Sequence, residues 1–157
     1  MNIPLFDAHC DTAFELFCNE ESLYSNKGHI DLKRAKEYMP YAQFFAIFVM
    51  TSDEYPERAQ KLKDFSFEQI FKLEVENLLK ELQNNSDFII LCRNAREIDL
   101  AVKQGKAAAL LSVEGAEALG CSIKGLHDAY DVGVRAINLV WNRDNLLCGC
   151  AASGENI

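Results

Sequence analysis

No stretch of this sequence approaches the roughly 18–20 consecutive apolar residues of a membrane-spanning helix, which argues against an integral membrane protein. Basic residues are scarce: 16 Lys and Arg stand against 24 Asp and Glu, a net charge of −8, and no basic patch breaks the acidic excess. Nucleic acid is therefore not an expected partner, because its phosphates would be repelled. The opening Met1-Asn-Ile-Pro-Leu-Phe-Asp7 has neither a basic start nor a small-residue cleavage site. A secretory signal is not expected, and the cytoplasm is the expected location. Internal repeats, low-complexity segments, linkers and C-x-x-C pairs are all missing, so residues 1–157 read as a single domain.

What is present is ordinary for a globular chain: 49% hydrophobic and 25% charged residues. Six cysteines are many for 157 residues, but their spacing is irregular. Reduced thiols are expected rather than a disulfide framework. Cys148-Gly-Cys150 has the spacing to clasp a soft metal but shows no two further ligands nearby to complete a tetrahedral site.

Apolar runs and helical patterns alternate along the chain. Ile3–Phe6 suits a short buried strand leading into Asp7-Ala-His-Cys-Asp11, followed by a helix over Ala13–Phe17 with Thr12 as its N-cap. Asn19–Tyr38 reads as a polar loop with a helical turn, and Ala42–Met50 as a strand buried on both faces, the kind that belongs to parallel sheets. Phe67, Phe71, Val75, Leu78, Leu79 and Leu82 recur at helical spacing, a core-facing stripe that ends at Asn84–Asp87. Phe88–Leu91 is a short strand, and Asn94-Ala-Arg-Glu97 is a capping box for a helix that Gly105 closes. Ala107–Val113 is a third buried strand, Ser122 caps a helix ending at Gly133, and Val134–Val140 is a further strand. Such alternation implies right-handed crossovers and a parallel sheet wrapped by helices, an α/β fold. The tail Ala151–Ile157 reads as a loop.

In parallel α/β sheets functional groups gather where strands end. His9 and Asp11 are two apart on an extended segment, so both side chains can face one cavity, and their nitrogen and oxygen donors suit zinc or a similar ion. Glu114 is an anion directly after seven residues without charge, costly unless a metal, a base or hydrogen bonds satisfy it. A structural ion pair with Arg135 is the alternative. A second H-x-D, His29-Ile-Asp31, sits in the polar loop and reads as solvated surface, and His127 as a packed or surface histidine.

Four segments, in order, resemble the membrane (renal) dipeptidase family, zinc peptidases of the amidohydrolase-like barrel type. Leu5-Phe-Asp-Ala-His-Cys-Asp11 is similar to that family's opening metal motif, and Gln43-Phe-Phe-Ala-Ile-Phe-Val49 to its second strand. Gly105–Gly115 is similar to the segment with the bridging glutamate, and Gly133–Asn142 to the strand that follows. The resemblance implies a (β/α)8 TIM-type barrel, of which this chain is the first half, a partial barrel domain. It implies two Zn2+ ions per complete site, with His9 and Asp11 on one and Glu114 as the catalytic ligand bridging both. A hydroxide held between the zincs would attack the carbonyl carbon of a dipeptide substrate. Trp141 and Asn142 would line the substrate pocket, Trp141 standing where some members carry a substrate-contacting histidine.

The family's remaining metal-binding histidines and its acid/base carboxylate come from later strands than these 157 residues supply, so the second zinc site is incomplete here. A whole barrel takes about 250 residues. Strands apolar on both faces need neighbours, so pairing with a second copy, or with a missing C-terminal half, is expected, or else poor solubility. The competing expectation is a degenerate dipeptidase remnant that binds one metal or a partner and hydrolyses nothing. A third is another amidohydrolase-type reaction, on cyclic amides, esters or deaminase substrates.

Overall fold

The computed structural model describes residues 4–50 and 62–153. Its elements run β1 (Leu5–Asp7), α1 (Thr12–Asn19), α2 (Leu32–Ala35) with a 3-10 turn at Lys36–Tyr38, then β2 (Tyr41–Ile47) and α3 (Phe67–Asn84). They continue with β3 (Ile89–Leu91), α4 (Ala95–Lys103), β4 (Ala107–Glu114), a 3-10 turn at Ala116–Leu119, α5 (Ile123–Val132) and β5 (Val134–Asn138). Among the described residues no helix is long and apolar enough to cross a membrane.

Every strand pairing is parallel. β2 lies between β1 and β4, and β2 occupies one edge of β4 along Ala108–Val113. The other edge is shared: β3 pairs with Ala107–Ala109 at its start, and β5 with the stretch from Leu111 to Glu114 at its end. The expected alternation of strand and helix holds, but β3 takes no column of its own. The path β1-β2-β4-β5 therefore holds four strands, half of an eight-stranded barrel.

The pleat sorts the two faces. Odd positions of β4 (Ala107, Ala109, Leu111, Val113) join Phe45 and Ile47 in the main core beneath α1 and α3. Even positions (Ala108, Leu110) meet Ala42, Cys92 and Ala101 in a smaller core beside α4. Alternation puts Glu114 on this second face, at the end of the strand.

Local chemistry explains most boundaries. Ser66 caps α3 in a reciprocal box with Gln69, Asn94 caps α4, and Ser122 caps α5 by accepting from the Gly125 N–H. Gly133 closes α5 at φ +117°, a left-handed conformation that favours glycine. Several expectations are corrected. Thr12 is the first residue of α1 rather than its cap, because Asp11 holds the cap position while its carboxylate turns to His9. The first strand is not buried: Leu5 is 41% and Phe6 59% exposed, since β1 has a neighbour on one side alone among the described residues. Ile3 and residues 154–157 of the tail lie outside the described residues. β2 begins at Tyr41, and the ladder ends at Ile47 although Phe48–Met50 stay buried. β5 ends at Asn138, short of Val140.

Candidate metal centre

Beyond β1 the backbone keeps its ladder with β2: Cys10 N–H donates to Phe44 and Ala46 N–H donates to Cys10. This extended path buries Cys10 and leaves His9 and Asp11 on the opposite side, as their two-residue spacing requires. Burial pushes the Cys10 thiol up to about 11, so it is a neutral packing group. His9 Nε2 stands 3.0 Å from Asp11 Oδ1 and 3.4 Å from Glu114 Oε2. The three donor atoms all lie within 4.8 Å of one another. β1 and β4, with β2 between them, thus deliver three side chains to one end of the sheet.

The electrostatics are strained in one direction. Burial raises the Glu114 carboxyl above the usual range, His9 opposes this, and the Asp11 carboxylate pushes it up further. Two carboxylates beside one imidazole nitrogen form a hard-to-borderline donor set with no thiolate, and a divalent cation would offset their mutual repulsion. The residues fit such an ion.

Arg135 does not pair with Glu114. Its guanidinium lies over the Tyr130 ring at 3.9 Å and donates to backbone carbonyls of Arg93, Tyr130 and Val134. Trp141 is half-buried against Phe48, with ring centroids 5.1 Å apart, and Asn142 is exposed just after it. The Cys148 and Cys150 thiols are free, and the Cys150 thiol donates to the Asn142 carbonyl.

The membrane dipeptidase family model (peptidase family M19) matches residues 1–156. The chain belongs to this family. It is 27% identical to a metallopeptidase from Rhodobacter sphaeroides, whose structure holds a phosphinate mimic of the dipeptide L-Ala-D-Ala. That match has a TM-score of 0.78 and covers 95% of this chain and 48% of the other. An uncharacterised Acinetobacter calcoaceticus protein is 31% identical over 160 residues, 90% of this chain and 50% of its own length. Dipeptidase tcpJ of Claviceps purpurea is 26% identical over 126 residues, 80% of this chain and 29% of its own. The chain thus spans half or less of the curated relatives it matches.

Within this M19 chain the site has neighbours that spacing did not reveal. A cavity of about 550 Å³ is lined by His9, Asp11, Asp7, Glu15 and also His29. Glu114, Trp141 and Asn142 are outside that lining, so the cavity borders the His9–Asp11 side of the centre. The second H-x-D is therefore split: His29 borders the metal-site cavity, whereas Asp31 is buried, caps α2 and pairs with Arg34 at 2.8 Å. The reading as solvated surface holds for His29, which is exposed, and is corrected for Asp31. The repeated H-x-D was the available signal, but the loop's fold back toward α1 is a tertiary fact that spacing does not carry.

Proposed function

We propose that the protein of which these residues form part hydrolyses dipeptides at a zinc centre held by His9, Asp11 and Glu114. The observation that carries this is the convergence of those three donors, two from the segment after β1 and one from the end of β4, within 4.8 Å at one end of a parallel sheet. Zinc in such a site supplies Lewis acidity and lowers the pKa of water toward neutrality. His9 offers Nε2, and Asp11 and Glu114 each offer an oxygen on the side facing it. Glu114, at the carboxyl end of β4, would be a further ligand of the ion and is the catalytic residue of this reading. Trp141 and Asn142, on the loop beyond β5, are the substrate-contacting residues of this reading, although neither borders the cavity beside His9 and Asp11. Asp7, Asp11 and Glu15 make the cavity acidic, which suits the free ammonium group of a short peptide.

A second reading keeps the metal centre without the reaction: one metal is bound and nothing is hydrolysed. Dipeptide hydrolysis by the purified chain, and by any longer open reading frame containing it, separates the two. Activity that is lost on chelation, restored by zinc and abolished by Glu114→Gln is the expected result for the longer protein. If neither form cleaves any D- or L-dipeptide in the presence of zinc, the hydrolase reading fails. Cleavage of cyclic amides in place of dipeptides would assign the site to a related hydrolysis.

A further inference from the structure

Directly after Glu114 the structure places a second carboxylate that the proposed reaction does not use. Glu117 is 7% exposed, on the 3-10 turn that follows β4. Its side chain folds back over Gly115: a Cβ there would stand 2.5 Å from Glu117 Oε1 and 2.8 Å from Oε2. Gly115 also has φ +94°, so glycine is required twice over, by conformation and by this close approach.

The carboxylate reaches across to the loop beyond β5. Asn145 Nδ2 donates to Glu117 Oε2 at 2.8 Å and to the Leu139 carbonyl at 2.7 Å. Asn145 Oδ1 accepts from the N–H groups of Leu147 and Cys148 at 2.9 and 3.2 Å, so all of its polar atoms are engaged in shaping that loop. The Leu139 carbonyl also accepts from Ala116 N–H at 3.2 Å, and Gly115 N–H donates to Asn138 at 3.0 Å. A closed ring results: Ala116 to Glu117, across to Asn145, back through Leu139 to Ala116. It joins the peptide next to Glu114 to the strand end that leads into Trp141 and Asn142.

Burying a carboxylate is costly, and the compensation here is partial. Arg143 Nε is 4.0 Å from Oε1, and Oε1 makes no hydrogen bond among the described residues. An apolar side chain at 117 would pack without that cost. We infer that Glu117 and Asn145 are positioning residues, which fix Glu114 relative to the Trp141–Asn142 segment and so set metal affinity at the centre. This inference rests on the proposed metal centre for its functional meaning. Its geometric content, that the pair holds the β5 loop against the end of β4, stands apart from the reaction.

The test uses the full 157-residue chain. Zinc affinity is measured by chelator competition for the parent, Glu117→Ala, Glu117→Gln, Asn145→Ala, the Glu117→Ala/Asn145→Ala double variant and a Glu114→Gln control. Emission of Trp141, the single tryptophan, reports where the loop sits, and thermal unfolding reports whether the fold is kept. Loss of a group bonded directly to a metal ligand weakens binding by about 10–100-fold. Glu117 and Asn145 act one step further out, so the lower end, about 10-fold, is the expectation for Glu117→Ala and Asn145→Ala. The double variant should be no weaker than the singles, because the two act as one unit. Glu117→Gln, which retains an oxygen acceptor for Asn145, should recover most of the loss, and it also covers the case in which the alanine variant does not fold. Folded variants that bind zinc as the parent does overturn the inference. If the parent and Glu114→Gln bind zinc equally weakly, the metal reading fails by itself. The clamp is then decided by Trp141: a shifted emission in folded Asn145→Ala and Glu117→Ala supports it, and unchanged emission overturns it.

Discussion

At the scale of single residues, charge following an apolar run was the most informative signal in the sequence. Glu114 stood out because seven uncharged residues precede it, and His9 and Asp11 because two-residue spacing on an extended segment means a shared side. Glu74 escaped the same logic, since one acid in a helix with charges all along its outer face attracts no notice. It lies on the inward stripe of α3 with no exposed surface, and among the described residues neither carboxyl oxygen makes a hydrogen bond of ordinary geometry. Burial raises its pKa well above the usual carboxylate value, the Phe48 backbone opposes this, and the Asp11 charge adds to it. The sign follows from linkage. A carboxyl that holds its proton more tightly folded than unfolded does no harm below the unfolded pKa of about 4.3, and stability falls as pH rises from there toward the folded value. Glu74→Gln removes this slope. Its stability relative to the parent should improve by about 1–3 kcal/mol between pH near 4 and pH near 7, the cost of an unpaired buried polar group. Urea unfolding of both proteins at the two pH values measures this, and a constant difference between them would contradict it.

At the scale of elements, boundaries were legible where one side chain decides them and were lost where tertiary pairing does. Ser122, Asn94 and Gly133 were readable as caps because each meets an orphaned backbone group by itself. The shared edge of β4 was not readable, because the division between β3 and β5 depends on how the strands lie across one another. The caps of α5 allow a direct comparison. Ser122→Ala removes the acceptor for the Gly125 N–H and should cost about 1 kcal/mol. Gly133→Ala forces a side chain into φ +117° and brings a Cβ within 3.2 Å of Leu91 Cδ2. It should cost more than the serine change, on the order of 1–3 kcal/mol. Denaturation midpoints of the two variants give the order, and a Gly133→Ala protein as stable as the parent would mean that the turn relaxes to another conformation.

At the scale of the whole molecule, the periodicity and order of elements gave the fold class, whereas the way the sheet is finished lies in edges that no local pattern encodes. Four parallel strands cover half the circumference of a barrel, and both outer strands show it. β1 leaves Leu5 and Phe6 exposed, and beyond β5 Leu139 and Leu147 are half-exposed and Leu146 is 87% exposed. Among the described residues neither outer strand has a second neighbour, whereas strands of parallel sheets normally pair on each side. Fully closed barrels avoid this by having no edge, so the energetic incentive to cover these strands is large. We expect the 157-residue chain in isolation to self-associate, or to become soluble and well behaved when co-expressed with a polypeptide that supplies further barrel strands. Light scattering over a concentration series measures the first and co-purification the second. Charged substitutions at Phe6 and Leu146 should reduce self-association. At Leu146 the loss of stability should stay within about 0.5 kcal/mol, as for surface sites, and at Phe6, whose ring packs edge-on against Phe44, it should be larger. A monodisperse monomer at all concentrations would show that the exposed edges are tolerated. The open sheet would then be a stable end state of these residues, and the metal centre could be studied on it without a partner.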